Sequence, residues 1–408
     1  MSIGGESPER EPPPQDEWSG KILAMKLLFS CILLISVAFS ISLDFVKPSP
    51  EWRICEFGLC RGDQLPTKAS YNPKTTNIRE MTFALRRDPA NALLWAQGGE
   101  ILDNRGDEAR ADDYFRRAVE LGPDITPVLM AAVNHDLIVN RMDDAFRCGS
   151  RILSLTPDFD TVLFDLYDTL GPPVPALLGP AIPAERRAAS SWMRWLLNRG
   201  SDEELMASWA WVSKNHFADD DLAGRFVWQL YKRGSVREAS EIWAQWLGAN
   251  RGDYLSPDLL ANRRFAMDPR ISPFDWNLEP SRSVQTARND GLEFVFSGAE
   301  NVNFASMYQY PAVSPGAYRF SAVVESQDIT TKQCPQFRIF NTQEPYGRVS
   351  AVTPSTCGTT PRHNVDAVFT VPPGVTTVTL RLERLPSDKI DNKISGTFKV
   401  HEVSLRRQ

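Results

Sequence analysis

Six side chains late in the sequence carry the groups that a flat-faced, hydroxyl-rich ligand requires. Tyr308, Tyr310 and Tyr346 offer ring faces, and Arg319, Arg338 and Arg381 offer planar donor forks. Apolar rings cover C–H surfaces, while planar polar groups fix hydroxyls. Arg319 and Arg338 each lie opposite the apolar side of a strand-like run, so the reading places them together on one solvated face. Two readings stand for the three tyrosines, ligand contact and strand packing, whereas Tyr318, Phe320 and Phe369 read as core. No tryptophan follows Trp276, which counts against a large ring platform. A second set, Trp195, Trp211 and Trp228, falls off the main core positions of a helical stretch and suits a protein-binding groove or a domain interface.

Catalytic chemistry is not signalled. The sequence has no Gly-rich phosphate loop, no HExxH and no GxSxG. Its four histidines, His135, His216, His363 and His401, are scattered, so neither a metal site nor a histidine base is expected. Asp219-Asp220-Asp221 reads as a solvated helix start rather than a hydrolytic carboxylate pair. The expectation is a non-enzyme without a cofactor. Three Arg-Gly-Asp triplets occur; Arg105-Gly106-Asp107 is simply an inter-helix turn, and the other two also read as turns.

The 408 residues carry 42% hydrophobic side chains and a net charge of −6. That suffices for two or three domains with cores of their own, and no bulk basic field argues for nucleic acid. Residues 1–20 are Pro-rich and charged and are expected to be a disordered cytoplasmic tail. Residues 21–45 follow as a single transmembrane helix, with seventeen uncharged positions from Leu27 to Leu43. A cleaved signal peptide ending near Ala38-Phe39-Ser40 is the competing reading; the long apolar run and long polar leader favour the anchor. Either way the rest of the chain is exported. Residues 46–76 read as a linker. Export suits disulfides, and the pairs Cys334–Cys357 and Cys55–Cys60 are expected, neither having the spacing of a zinc or redox motif.

The elements that position these residues fall into two blocks. From about residue 77 to 250 the pattern is helical and repeats. Pro89, Pro123 and Pro157 stand thirty-four apart, as do Gly106 and Asn140, and Ala111 and Ala145. In "DPANALLWAQGGEILDNRGDEARADDYFRRAVELGPD", Trp95, Gly99 and Leu102 share one side of a first helix. Ala111, Phe115 and Ala118 share one side of a second, and small residues let the two approach. Before Pro89, Met81 and Ala84 take core places in a truncated unit. After a segment with five prolines, expected to loop out of the stack, the period returns. Trp192 then matches Phe226, Leu196 Leu230, Leu205 Ala239 and Trp209 Trp243. This stretch resembles the tetratricopeptide repeat, closely over residues 88–157 and more loosely beyond. The resemblance implies an α-solenoid over residues 77–271 that grips peptides or proteins on its concave face.

From residue 272 the period changes to two. "AYRFSAVVES", "QFRIFNT", "DAVFTVPP", "VTTVTLRLER" and "GTFKVHEVSL" read as strands bounded by Gly, Pro, Asn or Ser. In the fourth, Val378, Leu380 and Leu382 alternate with Thr377, Thr379 and Arg381. Such strands over residues 272–408 make an antiparallel β-sandwich, and "PFDWNL" reads as a seal between solenoid and sandwich. The order, with a Pro-Gly turn before a long strand and a closing strand in "GTFKVHEVSL", is similar to carbohydrate-binding modules of the jelly-roll type. His401-Glu402 stands where those modules often carry two acidic residues, which puts a structural calcium in doubt. The fold class is therefore α+β and multidomain: one N-terminal membrane helix, an α-solenoid and a C-terminal jelly roll. Together the resemblances imply an inner-membrane, single-pass bacterial protein with its bulk in the periplasm. Its partners would be envelope or polysaccharide-assembly proteins and a polysaccharide, in exopolysaccharide or envelope-glycan synthesis or export. A purely protein-binding scaffold whose sandwich packs on its own solenoid is the alternative, and an envelope hydrolase is disfavoured.

Overall fold

The computed structural model describes residues 77–408 apart from Thr342, Glu344, Pro345 and Asp391. The expected tail, membrane span, linker and Cys55–Cys60 pair lie outside the described residues. Among the described residues, no helix is long and apolar enough to cross a membrane.

Helices α1 (Ile78–Arg87), α2 (Ala92–Asp103), α3 (Glu108–Leu121), α4 (Thr126–Ile138), α5 (Met142–Leu155) and α6 (Asp160–Leu170) pack in sequence. The first helices of three successive units begin at Ala92, Thr126 and Asp160, thirty-four residues apart. The glycines act by close approach: a Cβ on Gly99 would sit 2.8 Å from the Phe115 ring. Gly106 and Asn140 both turn the chain with positive φ, +75° and 58°, at equivalent places. In α1 the core positions are Met81 and Leu85, with Ala84 only half-buried.

The proline-rich segment does not loop out. It forms the short helix α7 (Val174–Leu177), and Val174, Leu177, Ala181 and Ile182 are buried. Its prolines forbid a long helix, yet its apolar residues still cover the neighbouring helices, so it stands where a second helix is missing. The period then restarts with α8 (Arg186–Leu196), α9 (Asp202–Lys214), α10 (Asp220–Lys232) and α11 (Val236–Leu247). All eight matched core residues of this second phase are buried. A capping box at Ser201 and Glu204 starts α9, a feature worth about 1 kcal/mol.

Ten strands follow: β1 (Asn277–Leu278), β2 (Val284–Arg288), β3 (Leu292–Ser297), β4 (Phe304–Gln309), β5 (Gly316–Ile329), β6 (Gln336–Phe340), β7 (Ser350–Val352), β8 (Gly358–Val371), β9 (Thr379–Arg384) and β10 (Ser395–Arg407). They form two antiparallel sheets, ordered β1-β4-β9-β6-β7 and β2-β3-β10-β5-β8. Rings from the two sheets meet between them, Phe294 with Phe304 at 5.3 Å and Phe320 with Phe337 at 5.0 Å. Burying each such ring contributes about 2–3 kcal/mol. Cys334 and Cys357 form the expected disulfide, which staples the β6–β7 hairpin. Arg384 is fully buried; its guanidinium donates to Asn301 Oδ1 and to the carbonyls of Val302, Gln333 and Asn392.

The chain between α11 and β1 belongs to the sandwich. Leu260, Phe265 and Trp276 join its core. Asp258, fully buried, accepts hydrogen bonds from the Leu260 and Leu405 amides and the Ser404 hydroxyl.

Candidate functional site

The outer face of the first sheet gathers four of the six predicted ligand residues. Its register sets Tyr308 of β4 opposite Arg381 of β9, and Arg381 opposite Arg338 of β6. Period-two alternation sends Met307, Leu380, Leu382, Phe337 and Ile339 into the core and leaves this row on the other side. Both guanidiniums sit over Phe340, at 4.8 Å for Arg381 and 5.5 Å for Arg338. Glu383, 1% exposed, lies beneath them; Arg381 donates to it at 2.7 Å, and Arg338 is 3.8 Å away. The Nε–H groups of Arg338 and Arg381 and the Thr379 hydroxyl are closed off from solvent and have no hydrogen-bond partner among the described residues. The side chains of Arg338 and Arg381 keep 40% and 28% of their surface open, so the row can meet ligand hydroxyls or carboxylates.

Tyr310 continues the row just beyond β4, its ring 5.3 Å from Tyr308. The Tyr308 hydroxyl donates to Glu279 at 2.8 Å. Burial, then that bond to Glu279, pushes the Tyr308 phenol well up; burial, then the Glu279 charge, raises Tyr310. Both remain hydrogen-bond donors across the ordinary pH range.

The helical block reaches this face through α10. Trp228 lies 5.8 Å and Tyr231 5.6 Å from the Tyr310 ring, and Phe274 packs on Tyr231. The connector crosses α10 so closely that a Cβ on Gly224 would fall 1.7 Å from the Ile271 carbonyl oxygen. Asp220 fixes the same joint, accepting from Arg270 at 2.9 Å and from the Trp246 indole at 2.8 Å. "PFDWNL" therefore seals the junction as its sequence implied. Between α8 and α10 opens a cleft of about 540 Å³ whose lining includes Arg194, Arg225, Trp228, Gln229, Lys232 and Ile271.

The remaining predicted residues lie elsewhere. Arg319 is exposed on β5 of the opposite sheet, paired with Arg406 and Val368, so it does not meet Arg338. Alternation gives a residue's side of a strand but not its sheet, and that assignment failed. Tyr346 stands 69% exposed in the β6–β7 turn. Trp195 is core rather than groove: it stacks on Trp192 at 5.2 Å, and its indole donates to Asp165. Trp211 sits on α9 against Phe217. Sequence reasoning missed Phe340 and Glu383, which only the pairing of β6 with β9 brings beside the arginines. Asp219 caps α10 and Asp221 pairs with Arg225, as expected of a helix start.

A second polar cluster ties the first helices together. Buried His135 of α4 stacks on Phe115 and bonds Asp103 of α2 at 2.9 Å, while Arg141 bridges Asp112 and Asp136. Burial pushes Asp136 up to about 6. Among the described residues, no group of three or more His, Cys, Asp or Glu side chains is placed to hold a metal ion.

No family model and no curated protein matches the sequence. Solved structures similar to parts of it include YrrB, described as a TPR protein with an unusual peptide-binding site, at 14% identity over 44% of this chain and 96% of that one, with a TM-score of 0.23. A CBM4 is 13% identical over 36% of this chain and 99% of that one, with a TM-score of 0.27. MamA from Desulfovibrio magneticus RS-1 is 15% identical over 43% and 85%, with a TM-score of 0.19. The chain carries a helical block with a thirty-four-residue repeat followed by a two-sheet antiparallel β-sandwich.

Proposed function

We propose that this chain is a non-catalytic assembly protein of the bacterial envelope, anchored in the inner membrane by residues 21–45 with its bulk in the periplasm. Its solenoid grips protein partners, and its jelly-roll sandwich binds a glycan, serving synthesis or export of an exopolysaccharide or cell-envelope polysaccharide. The observation that supports glycan binding is the row Tyr308–Arg381–Arg338 over Phe340, where part-exposed rings stand beside part-exposed guanidiniums. The exported setting is supported by the apolar N-terminal run and the Cys334–Cys357 disulfide.

One observation favours the scaffold reading without sugar: Trp228 and Tyr231 already occupy one side of Tyr310. A glycan array probed with the whole protein separates the two. Wild type is expected to bind at least one polysaccharide, and the Tyr308→Ala/Arg381→Ala variant to lose it. Binding to no glycan, or equal binding by the variant, would leave the protein-only scaffold. Protease accessibility in spheroplasts tests the topology, with cleavage of the body expected from the periplasmic side.

A further inference from the structure

We infer that the glycan site is shared between the two blocks: the bound chain runs off the sheet face onto α10, and it is a linear oligosaccharide carrying carboxylates. The inference rests on the glycan reading above and extends it to residues of the helical repeat.

Three observations carry it. First, the rings form one continuous path, Tyr308 to Tyr310 at 5.3 Å and Tyr310 to Trp228 at 5.8 Å, crossing from β4 to α10. Each is only part-buried, so the path keeps open surface along its length. Second, Trp228 also lines the 540 Å³ cleft between α8 and α10, so the sheet row leads into a cavity rather than against a wall. That cleft presents Arg194, Arg225 and Lys232 with Asn198 and Gln229 as planar amides; Arg225 pairs with Asp221 at 2.9 Å and Arg194 stands 3.6 Å from Asp219, which leaves the cleft net cationic through Lys232. Guanidinium forks and amides beside an indole suit a sugar that carries acidic groups. Third, the two halves are held in register. Gly224 meets the Ile271 carbonyl and Arg270 pairs with Asp220, so a ligand spanning the joint finds its contacts already aligned.

The test is isothermal titration of the full-length protein with oligogalacturonate, oligoglucuronate and oligomannuronate, each alongside its carboxyl-reduced counterpart. Wild type is expected to bind at least one acidic oligomer at least about tenfold more tightly than its reduced form, and more weakly as salt rises. Trp228→Ala should weaken that binding about tenfold, and Trp228→Phe, which keeps a flat ring, by less than about threefold. Because Trp228→Ala also removes packing from Tyr310, the exposed Arg225→Ala is the second probe. It should weaken binding about fivefold with an unchanged melting temperature. If wild type and Trp228→Ala bind alike while Arg381→Ala fails, the glycan lies on the sheet alone and the shared site is overturned. Equal affinity for acidic and reduced oligomers overturns the carboxylate assignment. Binding to no oligosaccharide overturns this inference together with the reading it rests on.

Discussion

Glu383 is the residue that makes the arginine row possible. A buried carboxylate beside two guanidiniums holds them over Phe340 and neutralises one of them. Replacing it with Gln should leave the strands intact but free both arginines, so we expect glycan affinity to fall about tenfold in a binding titration. Arg384, the next residue along the strand, works differently: it gathers three main-chain carbonyls and Asn301 into one cationic knot. Arg384→Met leaves those acceptors unpaired in the interior, and urea unfolding should show a loss of more than about 3 kcal/mol. Asp136 gives a pH signature. Its carboxyl titrates near 6 when folded against an ordinary 3.8, because burial disfavours its charge. The folded state holds that proton more tightly, so this group's contribution is greatest below pH 3.8 and is lost as pH rises toward 6. Asp136→Asn keeps an oxygen for Arg141 and removes the titration. The melting temperature of the variant minus that of wild type should therefore rise between pH 4 and pH 6.5, and a flat or falling difference would count against it.

At the scale of elements, the helix pairs were legible because thirty-four-residue spacing repeats chemistry as well as hydrophobicity: Gly106 and Asn140 really do share a left-handed turn. The burial of the proline-rich interruption is not legible from its prolines, because proline forbids helix but not burial, and Val174, Leu177, Ala181 and Ile182 still have a core to cover. Strands β5, β6 and β9 were readable by alternation, but their distribution between sheets was not, so Arg319 was placed with the wrong neighbours. Two predictions belong here. Ala is intrinsically the better helix former by about 1 kcal/mol. Gly224→Ala should nevertheless lower the melting temperature, since the new Cβ displaces the Ile271 backbone. The Cys334–Cys357 bridge closes a loop with a sequence separation of 23, which corresponds to about 3 kcal/mol. Reduction should lower stability by that order and loosen the short edge strand β7 first, as read by amide exchange.

For the whole molecule, the sequence points to the joint through "PFDWNL" and Trp228 but not to the partners that meet there. Nothing in the spacing of Trp228, Tyr231, Phe274 and Tyr310 announces that they meet, because those contacts depend on how the connector folds back across α10. That joint turns the two blocks into one surface, and it puts the helical-repeat residue Trp228 beside Tyr310 at the end of the Tyr308–Arg381–Arg338 row. The central claim, that this surface and not the opposite sheet receives a glycan, is tested most directly by hydroxyl-radical footprinting of the full-length protein with and without a bound polysaccharide. Protection of Tyr308, Tyr310, Phe340 and Trp228, with Tyr346 and Val368 unchanged, is the predicted result. Protection confined to the β5–β8 face, or none at any of the four rings, would contradict it.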